Sequence, residues 1–209
     1  MNLKLPRVYP ITDRTISSLT HAEQVSRLLA GGATFIQLRE KNESARVFFE
    51  DAAAALRSAR QAGATLIIND RVDIALALGA DGVHLGQSDM PVNVARQLLG
   101  PKAIIGYSTH NLHQVRAALA QPISYLAFGP IFVTSSKQNP DPVAGIDALR
   151  EAKLSVGQLP LVAIGGIRRS TVSEVLSAGA DSVAMISEIL AVPGDIAKNV
   201  RDLLGCQAG

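Results

Sequence analysis

The chain has 209 residues, 47% of them hydrophobic and 4% aromatic, with no Trp and a formal net charge of +2. That length and composition suit one α/β domain whose core is built from Ala, Leu, Val and Ile, and the lack of any long run of like charges argues against a nucleic-acid or anionic-membrane surface. No apolar stretch is long enough to span a bilayer or to serve as a secretory leader behind Met1, and the one cysteine, Cys206, has no disulfide partner and no adjacent base, so a soluble, cytoplasmic protein is expected.

Eight short apolar runs are predicted as strands: Val8–Thr12, Thr34–Leu38, Thr65–Ile68, Gly82–Leu85, Ala103–Tyr107, Ser124–Phe128, Leu161–Ile164 and Ser182–Ile186. Most are continuous, not alternating, as parallel strands covered on both faces require. Between them run segments of helical period, with apolar stripes at Val25, Leu28 and Leu29, at Leu112, Val115 and Leu119, and at Val172, Val175 and Leu176. Thr20 with Glu23, and Thr171 with Glu174, fit the capping box that opens a helix. Gly32–Ala33, Gly63–Ala64, Gly79–Ala80 and Gly179–Ala180 form a weak internal repeat, each placing a glycine just beyond a helix, where a left-handed cap is needed. Strictly alternating helices and strands predict a single (β/α)8 TIM barrel over residues 1–209, with 205–209 as a frayed tail. A doubly wound open sheet would need a Gly-rich turn after its first strand, and Thr12–Asp13–Arg14 is not one. Pro10 breaks a local rule, because a closed sheet offers no edge for its missing N–H; that strand is expected to start late or to bulge.

The chemistry collects at the C-terminal ends of the runs, as it does in barrel enzymes. After the second run, Gln37, Arg39 and Lys41 share one face if the chain stays extended, converging an amide and two cations. The third and fourth runs end in Asn69-Asp70-Arg71 and Gly86-Gln87-Ser88-Asp89; Asp70 and Asp89 on neighbouring strands suit Mg²⁺, although each could instead cap the helix that follows it. Ser108, Thr109 and His110 end the fifth run. The long connection after the sixth carries Thr134, Ser135, Ser136 and Lys137, hydroxyls and a cation that can clamp an anion in a loop able to act as a lid. Gly165–Gly166 and Ile186–Ser187 end the last two runs, where barrels commonly hold phosphate on backbone N–H groups. His110 is the one histidine expected in the mouth; His21 and His113 are expected to be solvated, and His84 packed. No histidine cluster has zinc spacing, there is no Gly-x-Ser-x-Gly elbow, and the Thr12–Asp13 end suggests no role.

Sorted by charge, these groups describe a Mg²⁺–diphosphate region around strands two to six and a second phosphate site at strands seven and eight, hence two phosphorylated small-molecule substrates. Over almost its whole length the chain resembles the thiamine phosphate synthase family, through Gln37-Leu38-Arg39-Glu40-Lys41, Ile68-Asn69-Asp70-Arg71, Gly82-Val83-His84-Leu85-Gly86-Gln87, Gly129-Pro130-Ile131-Phe132 and Ala163-Ile164-Gly165-Gly166-Ile167. The resemblance implies a transferase of thiamine biosynthesis that joins hydroxymethylpyrimidine diphosphate to a thiazole phosphate and releases diphosphate, by Mg²⁺-assisted cleavage of the C–O bond before attack. By the same resemblance Gln37, Arg39, Lys41, Asn69, Ser108 and Lys137 surround the pyrimidine diphosphate, with Lys137, Lys41 and Ser108 in the catalytic roles. Asp70 and Asp89 would ligate Mg²⁺, and Thr134, Ser135, Ser136, Gly166, Ile186 and Ser187 would surround the thiazole phosphate. The chain departs from the family pattern at Ser136, usually Thr, and at Val133 and Pro10. A thiazole tautomerase of the same fold would lack the Asp pair and carry a His where Pro130 stands; an inactive thiamine-phosphate-binding regulator would keep the pocket without turnover. A homo-oligomer is compatible with the sequence.

Overall fold

The computed structural model describes residues 3–134 and 141–205. The apolar runs form eight parallel strands: β1 (Val8–Thr12), β2 (Phe35–Leu38), β3 (Thr65–Asn69), β4 (Gly82–Leu85), β5 (Ile104–Thr109), β6 (Tyr125–Phe128), β7 (Leu161–Ile164) and β8 (Ser182–Met185). Each pairs with the next in sequence and β8 closes on β1, giving a barrel without edges. Helices α1 (Arg14–Ser17) and α2 (His21–Ala30) follow β1, and α3 (Ala45–Gln61), α4 (Val72–Leu78), α5 (Val92–Leu99), α6 (Leu112–Ala118), α7 (Gly145–Val156) and α8 (Val172–Ser177) follow β2 to β7 in turn. After β8 come α9 (Ser187–Leu190) and α10 (Ile196–Gly205). This is the expected (β/α)8 barrel; residues 206–209 of the expected frayed tail, Cys206 among them, lie outside the described residues.

Continuous apolar runs are explained by two separate cores. Alternate residues turn inward, where Tyr9, Ile11, Phe35, Ile67, Tyr125 and Val162 fill the barrel. Their neighbours Ile36, Leu38, Ile68, Leu85, Leu126 and Val183 turn outward against the helices. A helix needs only a stripe to meet them: on α2 Val25 and Leu28 are fully buried, and on α8 Val172 and Val175 are buried. Each such side chain contributes about 2 kcal/mol of burial, which fastens the helical ring to the barrel. Leu119 is the exception in the predicted stripes. It lies just past the end of α6 and is exposed.

The corner glycines Gly32, Gly63, Gly79 and Gly179 all have positive φ, as their place after helices predicts. The Thr20–Glu23 capping box forms as expected. The Thr171–Glu174 box does not, because the Thr171 hydroxyl instead bonds the backbone N–H and C=O of Arg168, closing a 3₁₀ turn over Arg169–Thr171 ahead of α8. Nor does β1 start late: its ladder to β8 runs over Val8–Pro10 and its ladder to β2 over Ile11 and Thr12, so Pro10 sits where pairing passes from one neighbour to the other. The strand that departs most from its predicted bounds is β5, which runs on to Thr109 and so brings Ser108 into the sheet. Among the described residues no helix is long and apolar enough to cross a membrane.

Candidate active site

The C-terminal strand ends enclose a cavity of about 600 Å³. The described residues that the resemblance assigned to the site all line it: Gln37, Arg39, Lys41, Asn69, Asp70, Asp89, Ser108, Thr134, Gly166, Ile186 and Ser187. Ser135, Ser136 and Lys137 lie outside the described residues.

The cations are positioned by the first two strand ends. Arg39 Nη1 donates to Asp13 Oδ2 at 2.5 Å, while Asp13 Oδ1 accepts from the backbone N–H of Thr15 and caps α1. Asp13, for which the sequence suggested no role, therefore orients Arg39. Lys41 Nζ donates to Asp70 Oδ2. Between them, Glu40 Oε1 accepts the N–H groups of Lys41, Asn42 and Glu43 at 2.8, 2.7 and 3.1 Å, and its Oε2 meets His21 Nε2 at 3.1 Å. Burial pulls the Glu40 carboxyl up, but the Asn42 and Glu43 amides and His21 outweigh it and hold the group below the usual range. The expectation of a solvated His21 is wrong. It is fully buried, with Nδ1 at 2.6 Å from Thr12 Oγ1, and burial lowers its pKa against the opposing pull of Glu40. The signal was legible, since His21 precedes Val25 by four residues and Leu28 by seven and so falls on the apolar stripe of α2.

Asp70 and Asp89 meet, as their places on adjacent strands predict. Burial and the nearby Asp70 raise the Asp89 carboxyl pKa, against the Gly86 N–H and Lys41, which lower it. Neither aspartate caps a helix. Arg71 and Pro91 occupy the N-cap positions of α4 and α5, without a side-chain cap bond at either. Asp70 is moreover held at φ 61°, in the left-handed region, with its N–H donated to the His84 carbonyl at 2.9 Å. Such strain persists only where surrounding bonds enforce it. Two carboxylates that crowd each other, with oxygen as the only donor type, fit Mg²⁺, which keeps several waters and shares substrate oxygens. Among the described residues there is no cluster of three or more His, Cys, Asp or Glu that could hold a metal ion. Asn69 adds a buried side-chain amide Nδ2 without a hydrogen-bond partner in the cavity wall.

His84 is packed, as expected, and it also reaches the cavity. Its Nε2 lies 2.8 Å from Ser108 Oγ and its Nδ1 2.9 Å from Tyr125 Oη. Tyr125 Oη is 2.9 Å from Tyr9 Oη, which accepts from Gln37 Nε2 at 2.9 Å. Burial pushes the His84 imidazole from its ordinary 6.5 down to about 4, against Asp89, so the ring is neutral. The unfolded chain therefore takes up this proton first as pH falls. The stability due to neutral His84 is complete above about pH 6.5 and lost between there and about pH 4, amounting to about 3 kcal/mol. A His84→Gln variant is expected to show a flatter stability–pH profile across that window in urea unfolding. Parallel profiles for the two proteins would refute this.

On the opposite wall, His110 Nδ1 donates to the Gly129 carbonyl at 2.7 Å and its Nε2 faces Asp141 at 3.5 Å, which fixes it at the mouth as expected. His113 is exposed. The chain leaving β6 is laced to the turn after β7, with Ile131 N–H on the Ile164 carbonyl and Phe132 N–H on that of Gly165. Gly166, at φ 65°, lies so close to Phe132 and Val133 that a Cβ would stand 2.4 Å from the Val133 carbonyl oxygen. The Gly-Gly pair thus joins two walls of the cavity.

Residues 8–189 match the family model described as thiamine monophosphate synthase. The thiamine-phosphate synthase of Koribacter versatilis is 44% identical over 209 residues, covering 97% of this chain and 97% of the relative. That of Chloroflexus aurantiacus is 42% identical over 198 residues, covering 94% and 90%. Among solved structures, the thiamine phosphate pyrophosphorylase from Pyrococcus furiosus superposes with a TM-score of 0.84 at 38% identity, over 94% of this chain and 93% of that one.

Proposed function

The chain belongs to the thiamine monophosphate synthase family of transferases, and on that premise we propose that it joins hydroxymethylpyrimidine diphosphate to a thiazole phosphate, releasing diphosphate and forming thiamine phosphate. What supports this reading is the meeting of Lys41, Asp70 and Asp89 beside the unpartnered Asn69 amide, across the cavity from the glycine turn of Gly165 and Gly166.

Asp70 and Asp89 would hold Mg²⁺, which when bound supplies positive charge to the departing diphosphate. Lys41, with Arg39 behind it, offers the diphosphate a cationic wall, and Lys137 would complete that wall from the β6 loop. Ser108 and Asn69 donate hydrogen bonds to the same substrate, and Gln37 lies beside them on the pyrimidine side. Negative charge grows on the leaving group as the C–O bond breaks, so these fixed donors act most strongly when the bond is breaking. Thr134, Ser135, Ser136, Gly166, Ile186 and Ser187 anchor the thiazole phosphate, which brings the thiazole nitrogen to the electron-poor methylene. Neither a protein nucleophile nor a strong general base is required, in keeping with a His84 that is buried and neutral.

The decisive assay supplies both substrates with Mg²⁺ and measures diphosphate and thiamine phosphate. One-to-one formation of both products is expected. A folded protein that binds both substrates without turnover would overturn the reading in favour of a regulator.

A further inference from the structure

We propose that the buried string Gln37–Tyr9–Tyr125–His84–Ser108 is a one-way hydrogen-bond relay that fixes His84 as the Nε2–H tautomer and thereby aims the Ser108 hydroxyl proton into the cavity, at an anionic oxygen of the diphosphate-bearing substrate. The proposal rests on the function proposed above for the identity of that substrate, but the relay's direction follows from the protein alone.

Direction is set at the Gln37 end. Gln37 Nε2 donates to Tyr9 Oη, so the single proton of Tyr9 must go to its other neighbour, Tyr125 Oη. Tyr125, having accepted, passes its own proton to His84 Nδ1. A neutral imidazole that accepts at Nδ1 carries its proton on Nε2, and that proton is donated to Ser108 Oγ at 2.8 Å. Ser108 has then accepted within the protein, and its own proton is left to be given on the cavity side. Running the string backwards would leave the Tyr9 hydroxyl proton facing only donors, at a residue 1% exposed, and buried orphan donors are strongly disfavoured.

Each link is held in the protonation state the relay needs. Burial raises both phenols, Tyr9 and Tyr125, so they stay protonated, and His84 Nδ1, accepting from Tyr125 at 2.9 Å, carries no proton of its own. Space is reserved for the central link as well. Gly106 of β5 faces inward between His84 and Tyr125, and a Cβ there would stand 2.1 Å from Tyr125 Cζ and 2.5 Å from His84 Nδ1. An apolar filling of Phe, Val and Leu would suit a barrel interior equally well; a string of five polar side chains does more than fill it. Tyr9, Tyr125 and His84 are thus positioning residues, acting through Ser108.

Nitrogen-15 NMR of the imidazoles in the full-length protein at neutral pH tests the direction. His84 is expected with a protonated Nε2 and a bare Nδ1; a protonated Nδ1 overturns the relay, whether or not the protein condenses the two substrates. Tyr125→Phe removes the donor to Nδ1. It is expected to abolish the single-tautomer signature and to lower kcat about tenfold, the worth of one hydrogen bond, with KM for the thiazole phosphate unchanged. In a Ser108→Ala background the same substitution is expected to change kcat less than about twofold, because its effect passes through Ser108. Equal losses in both backgrounds would mean that Tyr125 is merely structural and would overturn the proposal. A wild-type protein that shows the expected tautomer yet does not condense the substrates would sink the proposed function and leave the relay's direction standing.

Discussion

Replacing Asp70 and Asp89 together by asparagine is expected to lower kcat/KM for condensation about a thousandfold without lowering the melting temperature. The two halves of that expectation come from different observations. On the stability side, neither carboxylate caps a helix. Asp70 sits at φ 61°, a conformation that asparagine adopts as readily as aspartate. The bond that the Asp89 side chain accepts from the Gly86 N–H can be accepted by an asparagine oxygen. Asp70 also opposes the ionisation of Asp89, so neutral amides relieve a repulsion already present in the fold. On the activity side, the pair is the cluster of anionic oxygen beside the cationic wall, and Lys41 is held by Asp70 itself. Losing the pair would therefore remove the proposed Mg²⁺ ligands and release the lysine at once. Steady-state diphosphate release and calorimetric melting of the same preparations separate the cases. A fall of several degrees in melting temperature, matched by only a modest loss of activity, would mark the aspartates as structural.

The barrel was legible in the sequence because its signal is redundant: eight apolar runs, four glycine corners at one end and polar residues at the other all point to the same closed sheet. The site was legible for a related reason. In a parallel barrel every strand ends on the same face, so a polar residue just past a run is placed in the mouth by topology alone, which is how Asn69, Asp70, Asp89 and Ser108 could be gathered without knowing any contact. What escaped was the support beneath. Asp13 and Glu40 reveal nothing singly, because their partners Arg39 and His21 lie 26 and 19 positions away and only the closed barrel brings them into reach. The inward string from Tyr9 to Ser108 escaped similarly. Tyr9 and Tyr125 read as ordinary apolar strand residues, and only the register of β1 with its neighbours turns both hydroxyls toward one point. Local pattern identifies which face a residue occupies, but hydrogen-bond partners are chosen by tertiary distance.

Gly166→Ala is expected to raise KM for the thiazole phosphate about a hundredfold and to lower the melting temperature by about 8 °C, and Gly63→Ala supplies the control that separates the causes. The two glycines have nearly the same backbone, φ 65° at Gly166 and φ 67° at Gly63, so an alanine at either pays a similar left-handed penalty of about 1 kcal/mol. They differ in surroundings. A Cβ on Gly63 meets nothing within 4 Å, whereas one on Gly166 would stand 2.4 Å from the Val133 carbonyl oxygen and 2.8 Å from two carbons of Phe132. Forcing a methyl into such a contact adds about 1–3 kcal/mol, and for a domain of this size each kcal/mol moves melting by about 3 °C. Gly63→Ala should thus cost about 3 °C and leave activity intact, since it lies at the corner before β3, away from the cavity. At Gly166 the strain is relieved by parting the β7 turn from the chain after β6. That lace holds Phe132 on the Gly165 carbonyl and presents Thr134 to the cavity. Opening it would spread the proposed phosphate anchor while leaving Lys41, Asp70 and Asp89 in place, so kcat at saturating thiazole phosphate should fall far less than affinity. Matching melting shifts in the two variants would show that the wall yields without strain, and a collapse of kcat with KM unchanged would move Gly166 out of the thiazole-phosphate anchor altogether.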